Sequence, residues 1–506
     1  MPDTPICANG ARVLADLNTL RKIGAYKTGV HKPTFSEPHM QSLQWLAQRL
    51  SEAQLAAAID GIGNVLGTSR KSGPKLLAGS HLESQNYAGW LDGPLGVVYA
   101  LEAARVLNPD PAVAGAVEVA AWCDEEGHFG SFLGSRSYVG AVTEADIDAA
   151  RDRGSGRTMR EALSSVGLAG QPRLHAERGR HLGYIEAHIE QGETLERGNL
   201  KIGVVTSIVG IWQYRITFLG EQNHAGTTRM EIRKDAGLAL ARFCVAIDER
   251  FPKSCGPRTV WTTGRITLDP GAPSIIPGRA EMLFQIRDDN PDVIDRLEKL
   301  LHSMADEATS QGRCSVAVER IRAGAPAMMD AAFQDAIEAA SAVFAGGKSL
   351  RMPSGAGHDA QVLATIMSAG MLFVPSIGGI SHHWSENTAD ADIVMGAEVF
   401  VEACRRLLAR LPRALERDEF RWYCYRSSSL LEYDLRANAF RVCREGKPVS
   451  TFPAHALAGQ IPGDINGEGK WNADQHTQQP VAKTGHDRAK GARAAGRAIK
   501  RADKTA

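Results

Sequence analysis

Residues 75–123 of the chain read KLLAGSHLESQNYAGWLDGPLGVVYALEAARVLNPDPAVAGAVEVAAWC, and this stretch decides the fold. Apolar runs at 75–79 and 117–123 are typical of buried strands, and a helical pattern from about 95 to 106 lies between them. A helix that connects two strands brings the second strand back parallel to the first. The stretch therefore predicts an α/β fold with a mostly parallel sheet and helices on both of its faces.

A different rhythm begins near residue 209 and ends near residue 322. Its strand and helix patterns follow the order β-α-β-β-α-β, at 211–219, 235–251, 259–268, 279–287, 291–310 and 315–321. This order is typical of a ferredoxin-like domain. Since the patterns after it resemble those before it, we interpret 209–322 as an inserted domain. The insertion would split a catalytic domain into residues 1–208 and 323–412.

The last segment, 413–506, differs in composition from the rest of the chain. From about residue 445 it is rich in Gly, Pro, Gln, Asn and Lys, and from residue 483 it is basic. Such a composition predicts a largely disordered extension. A nucleic-acid-binding tail is the weaker alternative, because no aromatic residue stands among the basic ones.

Length, charge and cysteine use narrow the class of protein. A chain of 506 residues is long enough for more than one domain, and its 58 basic and 58 acidic residues cancel. No overall charge would therefore attract nucleic acid or an anionic membrane. We find neither a signal-peptide pattern nor an apolar run that could span a bilayer, and the eight cysteines include no CxxC pair. We expect a cytoplasmic enzyme that acts on a small molecule.

Histidines and carboxylates follow several of the predicted strands. Taken singly, each has a simple explanation, such as a loop histidine at His81 or a helix N-cap at Asp92. Together they are more informative, because ligands bind at the carboxyl edge of open α/β sheets. Imidazole and carboxylate groups suit zinc and related first-row cations. Five such groups would be enough for two cations that share a carboxylate: His81, Asp92, Glu126, His188 and His382.

The chain resembles a known enzyme family through an ordered series of motifs between about residues 12 and 412. They are GVHKPTFS (29–36), GSHLES (79–84), LDGPLGV (91–97), DEEG (124–127), HIEQG (188–192), NHAGTTRMEIRKDA (223–236), IPGRAEMLFQIRD (276–288), PSGAGHDA (353–360) and GISH (379–382). They look like those of amidases of the hydantoinase/carbamoylase type, within the clan of dinuclear zinc aminoacylases and carboxypeptidases. The resemblance implies hydrolysis of a linear amide or ureido C–N bond.

The resemblance also implies roles for individual residues. Asp92 would bridge two divalent cations, with His81 and His188 at one and Glu126 and His382 at the other. Zinc is the expected metal, with manganese, cobalt and nickel as alternatives. Glu125 would be the general base.

The same resemblance implies how the substrate is held. His224 would contact the developing oxyanion, from the partner subunit of a homodimer formed through the inserted domain, which would act as a lid. Arg287 and Gln191 would hold a substrate carboxylate, with the backbone near Gly357.

Three positions depart from the family pattern. Glu83 stands where the family usually has Asp, and would orient the His81 ring with a longer arm. Ser274 stands where Asn is common, which would alter the grip on the substrate. His382 is followed by His383, which stays an alternative ligand or a substrate contact.

Three functions remain open from the sequence. The expected one is hydrolysis of an N-carbamoyl amino acid to the amino acid, ammonia and carbon dioxide. An aminoacylase or dipeptidase would use the same cations and base. An inactive metal-binding module is the alternative outside enzymes, and the retention of Glu125 beside a full ligand set argues against it.

Overall fold

The computed structural model describes residues 6–410. The helices of this part are α1 (Gly10–Lys22), α2 (Glu37–Glu52), α3 (Pro94–Leu107), α4 (Leu133–Tyr138), α5 (Glu144–Ala149), α6 (Met159–Ser165), α7 (Thr194–Arg197), α8 (Ala236–Arg250), α9 (Pro291–Gln311), α10 (Ala331–Phe344), α11 (Asp359–Leu363) and α12 (Asp390–Arg410). The strands are β1 (Ala25–Tyr26), β2 (Gly29–Val30), β3 (Ala56–Ile59), β4 (Val65–Thr68), β5 (Lys75–His81), β6 (Ala116–Trp122), β7 (His181–Ile189), β8 (Ile202–Ile208), β9 (Gly210–Leu219), β10 (Asn223–His224), β11 (Val260–Asp269), β12 (Ile275–Ile276), β13 (Arg279–Asp288), β14 (Ser315–Gly324), β15 (Ala327–Met328), β16 (Ser349–Ser354) and β17 (Ala369–Val374). The predictions for residues 413–506 lie outside the described part of the chain.

The larger sheet has the strand order β15-β8-β17-β7-β5-β6-β4-β3, with β16 paired to β8. Its centre, β17-β7-β5-β6, is parallel, whereas β3 and β4 at one edge and the pairing of β8 with β17 are antiparallel. Every residue of β6 is buried, as expected for a strand covered on both faces. The α/β fold with a parallel central sheet is therefore confirmed.

Helices cover both faces of this sheet. The α1, α3, α10 and α12 helices pack with its strands in one apolar cluster, in which Leu95, Ala336 and Phe400 are buried. The α4 and α11 helices belong to the cluster on the other side, with Tyr138 and Leu363. A helix on each face leaves the carboxyl ends of the central strands as the open edge.

The smaller sheet lies between the two chain segments that build the larger one. Its strands are antiparallel in the order β11-β13-β9-β14, and α8 and α9 cover one face. Strand and helix order match the β-α-β-β-α-β pattern that the sequence predicts, with Tyr214, Phe243 and Leu297 in a core of their own. The domain boundaries at 209 and 322 stay a prediction.

Some local elements differ from the sequence predictions. The α11 helix ends at Leu363, because the chain turns to enter β17 at Ala369. The sequence patterns also do not indicate β3, β8 and β16, which owe their conformation to pairing with neighbours. No helix within residues 6–410 has the length and apolarity needed to cross a membrane.

Candidate metal centre

Neighbouring strands of the larger sheet carry the predicted ligands to one edge. His81 ends β5, His188 lies near the end of β7, and Glu126 follows β6. Parallel strands end at the same edge, so these side chains converge. Asp92 comes from the loop before α3, and His382 from the loop after β17.

Asp92 lies between three imidazoles. Its Oδ1 is 3.0 Å from Nε2 of His188 and 3.4 Å from Nε2 of His81, and its Oδ2 is 3.2 Å from Nε2 of His382. Burial opposes its ionisation, but the hydrogen bonds from His188, His382 and His81 hold the pKa of Asp92 well below its usual range. One carboxylate thus faces two separate sets of nitrogen ligands.

The residues fall into two groups whose ligand atoms lie within 4.8 Å of one another. The groups are His81, Asp92 and His188, and Asp92, Glu126 and His382. Because Asp92 belongs to both, the groups are adjacent, as a pair of cations with a bridging carboxylate requires. The nitrogen and oxygen donors suit divalent first-row metals.

Backbone carbonyls orient two of the imidazoles. Nδ1 of His188 lies 3.0 Å from the Ile189 carbonyl oxygen, and Nδ1 of His81 lies 3.2 Å from that of Glu83. A proton on Nδ1 satisfies these acceptors and leaves Nε2 as the ligand atom. Gly93 allows this arrangement, since a Cβ there would lie 2.5 Å from the His81 ring. Gly93, and not Asp92, is the N-cap of α3.

Glu125 lies beside the ligands. Its Oε2 is 3.8 Å from Nε2 of His81, and burial raises its pKa well above the usual range. Burial also raises the pKa of Glu126, whose Oε2 lies 3.7 Å from Nε2 of His382. The adjacent carboxylates therefore face the same space, with Glu126 nearer to His382.

The Glu83 carboxylate contacts other groups besides the His81 ring. Its Oε1 accepts a hydrogen bond of 2.6 Å from the Glu125 backbone nitrogen and lies 3.8 Å from Nδ1 of His81. Its Oε2 lies 3.7 Å from Nε2 of buried His39. The longer arm thus contacts the backbone of the Glu125 loop, and the Glu83 carbonyl takes the position next to the His81 ring.

Sequence reasoning missed two residues that hold the ligands. Nε2 of Gln85 donates to Oε2 of Glu126 at 2.7 Å, and its Oε1 accepts a hydrogen bond from Arg153. Glu386 accepts hydrogen bonds from the backbone nitrogens of Leu91 and Asp92, and burial raises its pKa to about 8. Gln85 directly follows GSHLES and Glu386 lies four residues after GISH, so both stand just outside the motifs.

A cavity of about 210 Å³ opens above the ligands. Three of the predicted substrate-binding residues, Gln191, Arg287 and Gly357, line it. Gln191 donates to Oδ2 of Asp92 at 2.8 Å, and Arg287 donates to the Gly355 carbonyl at 3.0 Å. Gly357 is required here, since a Cβ would lie 2.7 Å from the Phe132 ring.

His224 and Ser274 do not line this cavity. They stand together in the smaller sheet's region, where β10 pairs with β12 and the Ala225 backbone nitrogen donates to the Ser274 carbonyl at 2.9 Å. His224 is exposed. Neither residue therefore lies with the candidate metal ligands. His383 is also apart, with its Nδ1 at 2.7 Å from the Ser385 hydroxyl.

Residues 77–406 match the protein family described as peptidase family M20/M25/M40. The chain belongs to this family. A crystal structure of an amidase of the hydantoinase/carbamoylase family from Burkholderia phymatum is 45% identical, with a TM-score of 0.74, over 81% of this chain and all of that one. The described part of this M20/M25/M40 protein thus has the fold of a solved amidase.

Curated relatives of this M20/M25/M40 protein agree. The N-carbamoyl-L-amino-acid amidohydrolase of Paenarthrobacter aurescens is 34% identical over 409 residues, which cover 79% of this chain and 98% of that protein. The allantoate amidohydrolase of Bacillus subtilis (strain 168) is 31% identical over 392 residues, 75% of this chain and 93% of that protein. The predicted family is confirmed, and with it the class of enzyme, a hydrolase of C–N bonds in linear amides.

Proposed function

We propose that this protein hydrolyses the ureido C–N bond of an N-carbamoyl amino acid, giving the amino acid, ammonia and carbon dioxide. The observation that carries the proposal is Asp92 placed between His188 and His382, with Glu125 beside the neighbouring His81. The names of the relatives from Paenarthrobacter aurescens and Bacillus subtilis support a ureido substrate.

We propose that two divalent cations, zinc by preference, bind at the two ligand groups. His81 and His188 would hold one, Glu126 and His382 the other, and Asp92 both. Manganese, cobalt and nickel accept the same nitrogen and oxygen donors. When bound, such cations supply Lewis acidity to a carbonyl oxygen and make water more acidic.

Glu125 would move the proton of the reaction. In its ionised form it takes a proton from the attacking water, and in its protonated form it donates that proton to the leaving nitrogen. Burial raises the pKa of Glu125 and so makes the carboxylate a stronger base for the first transfer. Because Glu125 lies close to His81 without being one of the grouped ligands, it is free to do both.

Arg287 would bind the carboxylate of the substrate, since its planar guanidinium donates to both oxygens. Gln191 would contact the same molecule from the side of the metal ions, and the backbone near Gly357 would line the cavity around it. His224 would stabilise the oxyanion, with Ser274 next to it. Since both lie away from the cavity of their own subunit, we propose that they reach the cavity of the partner.

We therefore propose a homodimer formed through the smaller sheet, which would also act as a lid. Its edge strand β11 leaves Val260, Ile266 and Leu268 exposed. An unpaired edge with apolar side chains is a template for pairing with a second strand. A cytoplasmic location is also part of the proposal, because the cysteines within residues 6–410 are free thiols.

An aminoacylase or dipeptidase activity is the second candidate, and the description of the family as peptidases favours it. The two are separated by an assay of ammonia release from N-carbamoyl amino acids against amine release from N-acetyl amino acids and dipeptides, with metal analysis of the same preparation. Ammonia release is expected. Turnover confined to the acyl or peptide substrates would overturn the proposed function, and bound metal without turnover on either panel would favour an inactive binding module.

A further inference from the structure

A second arginine, Arg322, lines the cavity together with Arg287. By register, Gln285, Gln213 and Arg322 stand side by side across β13, β9 and β14. Their neighbours Tyr214, Phe284 and Ile286 pack into the helix-covered core. Because side chains alternate along a strand, Gln285, Gln213 and Arg322 point to the opposite face of the sheet. All three line the cavity next to the candidate metal ligands.

No carboxylate pairs with either guanidinium within residues 6–410. Arg287 donates to the side-chain oxygen of Gln285 and to the Gly355 carbonyl, which are both neutral. Burial lowers the pKa of both arginines, and Arg322 adds to the effect on Arg287, as Arg136 does on Arg322. Half-buried like charges without a counter-charge are unfavourable. Negative charge that enters the cavity would therefore be attracted by both guanidinium groups.

The acidic side chains of the cavity cannot supply this counter-charge. Asp92 and Glu126 belong to the candidate ligand groups, and Glu125 lies beside His81. With two divalent cations in place, the ligand side of the cavity would be positive rather than negative. The missing negative charge must therefore come from the substrate.

The two arginines are placed to bind separate carboxylates. Their backbones stand on β13 and β14 with β9 between them, about 9–10 Å apart across the sheet, and Arg287 lies a further two residues, about 7 Å, along the strands. Two bonds fix the Arg287 guanidinium at Gln285 and Gly355, so it is not free to move towards Arg322. This separation suits the two ends of an amino acid with an acidic side chain.

We propose that the substrate is an N-carbamoyl amino acid whose side chain carries a second carboxylate, with its α-carboxylate at Arg287 and its side-chain carboxylate at Arg322. The inference rests on the proposed function and adds a substrate class to it. Arg322 would then determine specificity, while the metal ligands and Glu125 carry out the reaction.

The test compares racemic N-carbamoylglutamate with N-carbamoylglutamine, which has nearly the same shape and one charge less. We expect kcat/KM of the wild-type enzyme to favour the acid at least about tenfold, as for a charge-assisted hydrogen bond. Arg322→Met should reduce this ratio roughly tenfold or more, and Arg322→Lys should retain part of it. The matched control is Arg320→Met on the same strand, because Arg320 pairs with Glu298 and does not line the cavity. Its ratio should not change.

Two results would overturn the inference. One is a wild-type ratio near one. The other is an equal loss on both substrates in Arg322→Met, which is expected if both arginines bind a single carboxylate.

Calorimetric binding of the same two compounds to Glu125→Gln separates this inference from the proposed function. Tighter binding of the acid, without wild-type turnover of either compound, would support the dianion site and reject ureido hydrolysis. Turnover without any preference would support hydrolysis and reject the dianion site.

Discussion

Gln85 holds Glu126 at both carboxylate oxygens. Its side-chain Nε2 donates to Oε2 at 2.7 Å, and its backbone nitrogen donates to Oε1 at 3.2 Å. Arg153 fixes the carboxamide of Gln85 by donating to its oxygen and also donates to the Glu126 carbonyl. The direction of one candidate metal ligand thus depends on a residue that contacts no cation itself.

Gln85→Leu should therefore weaken one of the two metal sites. Partners that orient a ligand typically change metal affinity by roughly 10- to 100-fold. We expect one of two cations to be lost first when the variant is dialysed against a graded chelator, as measured by elemental analysis. Gln48→Leu is the control, because the exposed side chain of Gln48 on α2 donates a hydrogen bond to Glu52 and is far in sequence from the candidate ligands. Equal retention of both cations in Gln85→Leu and wild type would contradict the role.

Glu125→Gln should abolish turnover without loss of metal. The amide keeps the shape of the side chain but cannot accept the proton from water, and general bases typically contribute about 100- to 10,000-fold. Ammonia release measures the rate, and elemental analysis of the same sample measures the metal. Full activity in this variant would remove the assignment of Glu125 as the base.

His224→Ala should reduce kcat by roughly 100- to 1,000-fold, the usual effect of losing one oxyanion donor. Mixed dimers test which subunit supplies it. If His224 acts on the partner subunit, a heterodimer of His224→Ala and Glu125→Gln chains contains one complete site. When equal amounts of the two variants are unfolded and refolded together, half of the dimers are mixed. The sample should then regain about a quarter of wild-type activity. If the refolded mixture stays inactive, His224 either acts on the site of its own subunit or has no role in the reaction.

Ile266→Lys should separate the dimer. Ile266 is 51% exposed on the edge strand β11, and a charge at such a position opposes pairing with a second copy. Light scattering after gel filtration should give the mass of one chain instead of two. Val343→Lys on α10 is the control, since Val343 is 48% exposed but belongs to no sheet edge. A wild-type protein that is itself monomeric would refute the proposed dimer.

Local patterns were sufficient for most of the elements. The buried runs of β5 and β6 and the helical period of α3 lie within residues 75–123, and apolar periodicity reports which face of a segment is buried. β3 was not predicted, because its sequence AAAI has neither marked alternation nor strong β-formers. Its antiparallel pairing with β4 determines its conformation.

The sequence by itself determined the element order, the family and the residue types that could hold a metal, because these depend on motifs and on contacts between near neighbours. Only the tertiary structure decided how the site is assembled. Glu386 contacts the backbone of Asp92 from 294 positions away, and Arg322 faces the cavity because a bulge in β14 aligns it with Gln213. Distances between residues so far apart in the chain depend on how sheets and loops pack, and no local pattern encodes that.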